Sequence, residues 1–323
     1  LNNRDFCDEI SEFDFSNNFY YNNRSIKGYY FSNLGYDGNI NMSNSIFEVA
    51  NCGIEEISGI WVNVETDATL ELNEIESNLC IDTASEVWVN SNIVNECVIE
   101  GCGLTIDNPF KTITWALAMI FPSIDNPVII HVVNGNYTPS NGEVFPLIIP
   151  DYVSLQGESM EFTILDASQI DRVIQIEHNT LNLLSDMTIT GGENNQGAGI
   201  YIEGSSPRLD HLVVRDNHGG TNGGGICLNG SSYSVMNEIT IENNSSEYGG
   251  GIYSYYSEPT ITNCTIKNNQ ASLGAGIYFA TSNPNLEFVS ILDNHANNNG
   301  GGIYCTDYSI PTFNHITIAN NVA

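Results

Sequence analysis

The hydrophobic residues in the C-terminal part of the chain recur every 25 to 27 residues. One copy of the pattern, PTITNCTIKNNQASLGAGIY, covers residues 259–278. An interval of this length is typical of solenoids, propellers and other repeat arrays. Four aliphatic columns can be aligned from about residue 184 onward: Leu184, Leu209, Met236, Ile261, Leu286 and Phe313; Met187, Leu212, Ile239, Cys264, Val289 and Ile316; Ile189, Val214, Ile241, Ile266, Ile291 and Ile318; Ile200, Ile226, Ile252, Ile277 and Ile303.

The second and third columns lie two residues apart in every copy, which is the alternation of a β-strand with one buried face. The pattern predicts three short strands per repeat, with turns between them. Strands of successive copies would then stack at about 4.8 Å, so that the columns line one core. The predicted fold class is all-β, a parallel β-helix with coils of 25 to 27 residues. We expect a right-handed helix, because parallel crossover connections are almost always right-handed.

Polar residues follow the third column in each copy, as the pairs Asp216-Asn217, Asn243-Asn244, Asn268-Asn269, Asp293-Asn294 and Asn320-Asn321. Asparagine tolerates left-handed backbone angles and forms local hydrogen bonds, so it suits a tight corner. Stacked amides can also hydrogen-bond from coil to coil. We therefore predict a structural corner ladder of Asn217, Asn244, Asn269, Asn294 and Asn321.

The chain before the regular repeats divides at about residue 85. Residues 1–85 are β-rich without a convincing period, and they fit either irregular coils or a small sandwich. Residues 86–323 are predicted to form the β-helix, which we expect to continue in a longer protein. Residues 109–120 place apolar side chains at helical spacing, and a helix there would cap the open first coil.

The formal net charge of −31, with only eight Lys and Arg residues, indicates a protein that does not bind nucleic acid or an anionic membrane surface. No apolar run reaches the roughly 18 residues of a membrane span, so we expect no insertion into the bilayer. The acidic, Asn- and Ser-rich composition favours an extracellular or cell-surface location. Cys97 and Cys102 could close a small disulfide loop, and Cys264 is expected to be buried.

The segment ITIENNSSEYGGGIY and its copies resemble the right-handed parallel β-helix repeats of the pectin-lyase-like superfamily. They are similar in particular to the repeats of chlamydial polymorphic outer-membrane proteins. The segments NPFKTITWALAMI, IHVVNGNY and FPLIIPDYVSLQGES resemble a domain of unknown function that caps bacterial β-helix surface proteins. The resemblance covers about residues 86–323. It implies the fold but no single function, because the superfamily includes lyases, hydrolases, esterases and adhesins.

Catalytic and metal-binding motifs of such enzymes are not found in the repeats. Asp166, Asp171 and Arg172 are close in sequence but form no matching esterase motif, and Asp216 and Asp293 are interpreted as corner residues. The calcium-binding repeat G-G-x-G-x-D is also missing. We therefore expect no cofactor; a calcium ion remains an alternative without a motif.

One outward column is left as a candidate binding surface. Each residue follows the buried Ile of its copy by one position and so points away from the core: Tyr201, Tyr253, Tyr278 and Tyr304, with Cys227 in the remaining coil. Stacked aromatic rings on a flat face suit sugar rings. The alternative is that these rings only pack on one another along the β-ladder.

The sequence thus predicts a secreted or cell-surface β-helix protein with a binding or structural role, such as an adhesin. The expected partner is carbohydrate or another cell-surface protein, bound along the long face. The alternative is a polysaccharide lyase or glycoside hydrolase of the pectin-lyase-like superfamily.

Overall fold

The structure is a computed structural model of the chain, and it describes residues 84–94, 97, 101–120, 122–177 and 182–323, together with seven short strands before residue 84. By internal contacts the chain divides into two compact units. The first comprises residues 1–83, 98–100 and 118–121, and the second comprises the remainder.

The short strands of the first unit pair in parallel. They form one sheet of three strands and two sheets of two strands. Their partners are 27 to 30 residues apart, as in Glu12↔Asn39, Asn39↔Thr69 and Phe19↔Ile46. Whether residues 1–85 form irregular coils or a small sandwich stays a prediction. The strands are Glu12–Asp14, Phe19–Tyr20, Phe31–Asn33, Asn39–Asn41, Ile46–Phe47, Ile60–Val62 and Thr69–Glu71.

The second unit is a parallel β-solenoid with three sheets, all of whose strand pairs are parallel. We call them the long, tyrosine and short sheets. The long sheet has 15 strands: Glu86–Val89, Val128–Val132, Gly135–Tyr137, Val153–Gly157, Thr163–Asp166, Leu183–Thr190, Arg208–Arg215, Val235–Asn237, Thr240–Glu242, Thr260–Thr262, Thr265–Lys267, Asn285–Glu287, Ser290–Leu292, Thr312–Asn314 and Thr317–Ala319.

The two other sheets complete each coil. The tyrosine sheet has seven strands: Leu147–Ile148, Ile174–Glu177, Ile200–Glu203, Ile226–Asn229, Ile252–Tyr255, Ile277–Ala280 and Ile303–Thr306. The short sheet has five: Glu193–Gln196, His218–Asn222, Ser245–Tyr248, Gln270–Leu273 and His295–Asn299.

The regular coil has four strands rather than the predicted three, and these strands lie in three sheets. In the coil that starts at Thr260–Thr262, the chain continues on the same sheet as Thr265–Lys267. Between these strands Asn263 takes a positive φ of 53°, which interrupts the pairing. The equivalent left-handed residue in an earlier coil is His211, with a φ of 49°, and there the strand remains continuous as Arg208–Arg215. A bend at one residue therefore divides the part of each coil that lies in the long sheet.

The aliphatic columns fill the core. Ile200, Ile226, Ile252 and Ile277 are all fully buried, and so is nearly every member of the other columns. Cys264 is 1% exposed, as expected for a small hydrophobic residue. Phe313 and Ile318, which lie in the last coil, are about half exposed.

The helix is shorter than the predicted span of residues 109–120. It comprises Ile113–Met119, because Phe110 lies in an extended bridge with Val89. The buried Glu143 carboxylate accepts hydrogen bonds from the backbone N–H of Ile113 at 2.6 Å and of Thr114 at 3.0 Å. Such acceptors satisfy donors that a helix start leaves free. The capping role of this helix stays a prediction.

Two small features lie near the helix in the sequence. A 3-10 turn, Pro139–Asn141, precedes Glu143. Cys97 and Cys102, which are five positions apart in the sequence, form the disulfide that was considered possible from the sequence. Among the described residues no helix is long and apolar enough to cross a bilayer.

Candidate functional site

The tyrosine sheet places the predicted residues in one outward column. Its register aligns Gln175 with Tyr201, Tyr201 with Cys227 and Cys227 with Tyr253. Tyr278 and Tyr304 follow in the next two coils. These residues alternate with buried Ile side chains along each strand, so they point away from the core.

Three of the tyrosines form a continuous stack. The ring centroids of Tyr253 and Tyr278 are 5.3 Å apart and those of Tyr278 and Tyr304 are 5.2 Å apart, with interplanar angles of 17° and 21°. Both faces of the Tyr278 ring are therefore covered by its neighbours. All three side chains remain partly exposed. A ligand could reach their edges and hydroxyl groups, but it could not lie on the face of Tyr278.

Tyr201 is not part of this exposed stack, and the expectation that it would be is wrong. Its side chain is only 6% exposed. The Arg172 guanidinium lies 4.3 Å above its ring, and its hydroxyl donates to Glu203 at 2.9 Å. Buried Cys227 also separates it from Tyr253 by a whole coil.

Burial raises the pKa values of the phenol groups. It raises the pKa of Tyr201 to about 12, where the hydrogen bond to Asn229 acts in the opposite direction and Glu203 adds to the rise. It likewise raises the pKa of Tyr253 to about 12 and increases that of Tyr278. At neutral pH these hydroxyls are thus protonated and can both donate and accept hydrogen bonds.

The exposed aromatic surface is larger than the sequence column indicated. Tyr248, at the end of a short-sheet strand, contacts Tyr278 edge to face at 5.5 Å. Tyr255 and Tyr256 form a T-shaped pair at 4.4 Å, and they are 37% and 53% exposed. Strand alternation could have identified Tyr255, because it follows Tyr253 by two residues. We name the tyrosine surface by its members: Tyr248, Tyr253, Tyr255, Tyr256, Tyr278 and Tyr304.

The asparagine ladder lies inside the solenoid. Asn217, Asn244, Asn269 and Asn294 are fully buried. The Asn244 Nδ2 donates to Asn269 Oδ1 at 3.1 Å and to the Val214 carbonyl at 2.9 Å. The preceding residue of each pair makes the bend, with φ between 53° and 57° at Asp216, Asn243, Asn268, Asp293 and Asn320. The ladder extends to Asn321, whose Oδ1 accepts from Asn294 at 2.8 Å.

A second polar ladder, of serines, was missed in the sequence. Ser232, Ser257 and Ser282 are buried, and the backbone N–H of each donates to the Oγ of the serine one coil later. The distances are 3.2, 3.3 and 3.0 Å, and the last acceptor is Ser309. The repeat interval would have revealed them, since serine occupies the same position in successive copies.

Of the three residues considered as catalytic candidates, Asp171 and Arg172 share Asn194 as a hydrogen-bond partner, whereas Asp166 bonds to a different residue. Asp166 accepts from the Ser168 backbone at 2.7 Å, whereas Asp171 accepts from the Asn194 side chain at 2.7 Å. Arg172 donates to Gln175 at 2.9 Å and to Asn194 at 3.0 Å. Burial lowers the pKa of Arg172.

A hollow of about 430 Å³ lies next to Asn194, lined also by Glu193, Asn195, His218, Gly219 and Gly220. In the described part of the chain, no group of three or more His, Cys, Asp and Glu side chains could hold a metal ion. The hydrogen bonds of the described residues thus join Asp171 and Arg172 through Asn194, while Asp166 accepts from the Ser168 backbone.

The stacked parallel coils define a β-solenoid. Residues 154–323 match the sequence model of the right handed beta helix region. The chain belongs to this family, and the match confirms the right-handed parallel β-helix predicted from the repeats. The closer resemblance to chlamydial outer-membrane repeats and to the capping domain stays a prediction. No curated protein matches the chain in sequence.

Solved structures with a similar fold are pectin methylesterases. PemA from Erwinia chrysanthemi is 14% identical with a TM-score of 0.41, and the match covers 64% of this chain and 65% of PemA. A pectin methylesterase in complex with a hexasaccharide is 12% identical with a TM-score of 0.40, covering 73% of this chain and 90% of that one. The chain thus spans less than two thirds of PemA. At these identities the likeness concerns the fold alone.

Proposed function

We propose that this protein is an extracellular or cell-surface adhesin that binds carbohydrate through the tyrosine surface. The observation that carries the proposal is the clustering of six tyrosines around one exposed sheet and its corner. Three ring contacts, those of Tyr278 with Tyr248, Tyr253 and Tyr304, would be satisfied by a purely structural stack. The exposed pair Tyr255 and Tyr256 is not needed for that stack, and it leaves aromatic area open to solvent.

The two parts of the surface suit different contacts with a sugar. Tyr255 and Tyr256 present ring area on which the apolar side of a pyranose can lie. Tyr253, Tyr278 and Tyr304 present a row of ring edges and hydroxyls with a repeat of 5.2 to 5.3 Å. Phenol hydroxyls can donate to and accept from sugar hydroxyls. A row with a regular repeat favours a polymeric ligand, because adjacent contacts act together.

The scaffold supports binding because it is rigid. Every strand of the tyrosine sheet pairs with its neighbours in the adjacent coils. Tyrosine supplies a large amphipathic contact area with little loss of side-chain entropy on binding, and stacking reduces that loss further. The positions of the rings are therefore set before a ligand arrives.

The alternative function is that of a polysaccharide-cleaving or esterase enzyme. Asp171, Arg172 and Asn194 interact beside the hollow, and this is the observation that favours it. Another cell-surface protein is the alternative partner for the tyrosine surface. Both alternatives are outcomes of the same experiment.

A glycan array probed with the purified chain tests the proposal. We expect binding to a subset of glycans, with no release of reducing ends, unsaturated ends or methanol from the bound polysaccharides. The variant Tyr278→Ala breaks the stack, and Tyr253→Ala removes its first ring. Both should weaken glycan binding by about three- to tenfold, as expected for the loss of an aromatic contact.

Two results would overturn the proposal. Unchanged glycan binding by both variants and by Tyr255→Ala/Tyr256→Ala would exclude the tyrosine surface as the site. Cleavage of a polysaccharide that is abolished by Asp171→Asn would establish the enzyme instead. The matched control is Tyr201→Phe, which removes a hydroxyl from a buried tyrosine outside the surface and should not alter binding.

A further inference from the structure

The short sheet places a serine hydroxyl and an imidazole next to each other in one column. Glu193, His218 and Ser245 lie in register on three successive coils. The residues that follow this column in two later coils, Ala271 and Ala296, are buried, so the column itself points away from the core. The pair of His218 and Ser245 is therefore accessible from solvent.

The two side chains are joined by a hydrogen bond. His218 Nδ1 and Ser245 Oγ are 2.7 Å apart. When Nδ1 carries no proton, the hydroxyl is the donor of this bond. A serine hydroxyl that donates to a neutral imidazole is the arrangement of a nucleophile and its general base. The geometry thus meets the first requirement for acyl transfer through a serine.

His218 also lines the hollow of about 430 Å³ on this side of the solenoid. Gly219 and Gly220 line the hollow as well and contribute no side chains to it. A Cβ added at Gly220 would collide with the Asn195 side chain, so glycine keeps the space beside His218 open. A small substrate can therefore reach the imidazole and the hydroxyl that is bonded to it.

The lining of the hollow indicates what kind of substrate fits. The side chains that line it are those of Glu193, Asn194, Asn195 and His218, and the lining in the described part of the chain includes no aliphatic side chain. Polar walls suit a hydroxyl-rich molecule with a short acyl group better than one with a long acyl chain. The amide of Asn195 is of the type that donates to an oxygen on which negative charge develops.

We propose that Ser245 and His218 are a catalytic pair that hydrolyses short-chain acyl esters of hydroxyl-rich alcohols, such as O-acetylated saccharides. This activity goes beyond glycan binding and uses no residue of the tyrosine surface. It also differs from the alternative enzyme, since Asp171 and Arg172 take no part in the reaction.

The reaction has two steps. In the first, Ser245 Oγ attacks the carbonyl carbon of the ester and His218 takes the hydroxyl proton. The bond from that carbon to the alcohol oxygen then breaks, and His218 returns the proton to the departing alcohol. In the second, water attacks the acyl-serine, His218 takes a proton from the water, and the Ser245 oxygen leaves with that proton. Ester and water thus become alcohol and carboxylic acid.

The test uses the full chain at mildly alkaline pH, where imidazole is in its neutral form. Hydrolysis of p-nitrophenyl acetate and release of acetate from acetylated xylan oligosaccharides are measured. A fluorophosphonate probe, which reacts with activated serines, is located by mass spectrometry. We expect hydrolysis above the uncatalysed rate and the label on Ser245. Ser245→Ala and His218→Ala should each lower the rate about 100-fold or to the uncatalysed rate.

Two matched controls separate the pair from other serines and histidines. Ser246→Ala changes the adjacent serine, whose hydroxyl donates to the Tyr248 carbonyl at 2.8 Å and not to an imidazole. His295→Ala changes a histidine of the same column, whose partner in the preceding coil is Gln270. Both variants should hydrolyse the ester at the wild-type rate. Melting temperatures of all four variants show whether each is folded.

Three results would overturn the proposal. The first is ester hydrolysis at the uncatalysed rate with no label on Ser245. The second is wild-type hydrolysis by Ser245→Ala, because another group would then be the nucleophile. The third is an equal loss in His218→Ala and His295→Ala, because any surface histidine would then suffice. Glycan binding should be unchanged in Ser245→Ala, so a failure of this inference leaves the proposed function intact.

Discussion

The asparagine ladder and the tyrosine stack are built by the same repeat, but the first lies buried at the corner between the long and short sheets and the second lies on the outer face of the tyrosine sheet. Each places identical side chains one coil apart over three or more coils. Asn217, Asn244, Asn269 and Asn294 are fully buried and bonded to one another. Tyr253, Tyr278 and Tyr304 are partly exposed, and their stacked rings leave edges and hydroxyls at the surface.

The difference shows what a sequence repeat can and cannot indicate. Repetition indicates that side chains stack. It does not indicate whether the stack completes the fold or remains available to a ligand. Burial and hydrogen bonding separate the two cases, because a buried amide without partners costs free energy whereas an exposed phenol is satisfied by water.

The largest expected effect comes from breaking the inner ladder. Asn269→Leu removes the bond from Nδ2 to the Ile241 carbonyl at 3.0 Å, and it leaves the Asn244 backbone N–H and side chain without their acceptor. Loss of several buried hydrogen bonds should lower the free energy of unfolding by about 3–5 kcal/mol. Urea denaturation measures it.

The control for that variant changes the adjacent residue. Asn268→Asp introduces the residue type that two other coils have at the equivalent corner position. These residues are Asp216 and Asp293, and each has a φ near 55°. Its stability should change by less than about 0.5 kcal/mol. A loss in Asn269→Leu no larger than in this control would show that the ladder does not stabilise the coils.

A smaller effect is expected from the serine ladder. Ser282→Ala removes the acceptor of the Ser257 backbone N–H at 3.3 Å and the donor to the Ser254 carbonyl at 3.1 Å. Two buried donors, the Ser257 backbone N–H and the Ser254 hydroxyl, lose this acceptor, which should cost about 1–3 kcal/mol. The control is Ser231→Ala, because the Ser231 side chain is not in the ladder. Thermal unfolding of both variants measures the difference in melting temperature between them. Equal melting temperatures would contradict the assignment of a structural role.

The sequence predicts which side chains stack along the solenoid, but the burial of some of them depends on contacts with residues that are distant in the sequence. The Ile columns and Asn pairs repeat along the chain, so strand alternation and corner chemistry predict their places. The burial of Tyr201 could not be predicted, because it depends on Arg172, 29 residues earlier and outside the repeat. Glu143 likewise reaches the helix start from 30 residues away. Tyr248 contacts Tyr278 around a corner that periodicity does not describe.

A modest loss is expected from opening the outer stack. Tyr278→Leu keeps an apolar side chain but removes the ring that lies between Tyr253 and Tyr304. Aromatic pairs contribute about 0.5–1.5 kcal/mol beyond their buried area, and exposure reduces this figure. The free energy of unfolding should therefore fall by about 1 kcal/mol. A loss as large as that of Asn269→Leu would show that the tyrosines are part of the core.

The smallest effect concerns alkaline pH. The pKa of Tyr253 is about 12 in the folded chain against 10.0 when unperturbed, so the unfolded chain ionises first. Its contribution to stability is complete below pH 10 and should be lost as the pH rises toward 12. Tyr253→Phe removes the ionising group and keeps the ring. Stability measured between these pH values should decline less steeply in the variant, and identical profiles would contradict the prediction.

The most direct test of the account compares two exposed aromatic sites of the same solenoid. The double variant Tyr255→Ala/Tyr256→Ala removes the open pair of the tyrosine surface, and Phe288→Ala removes a 53% exposed ring that stacks on His315 at the long sheet. Both are measured for glycan affinity and melting temperature in the same samples. The account predicts at least a tenfold loss of affinity in the double variant, wild-type affinity in Phe288→Ala, and similar melting temperatures. Equal affinity in all three proteins would contradict it.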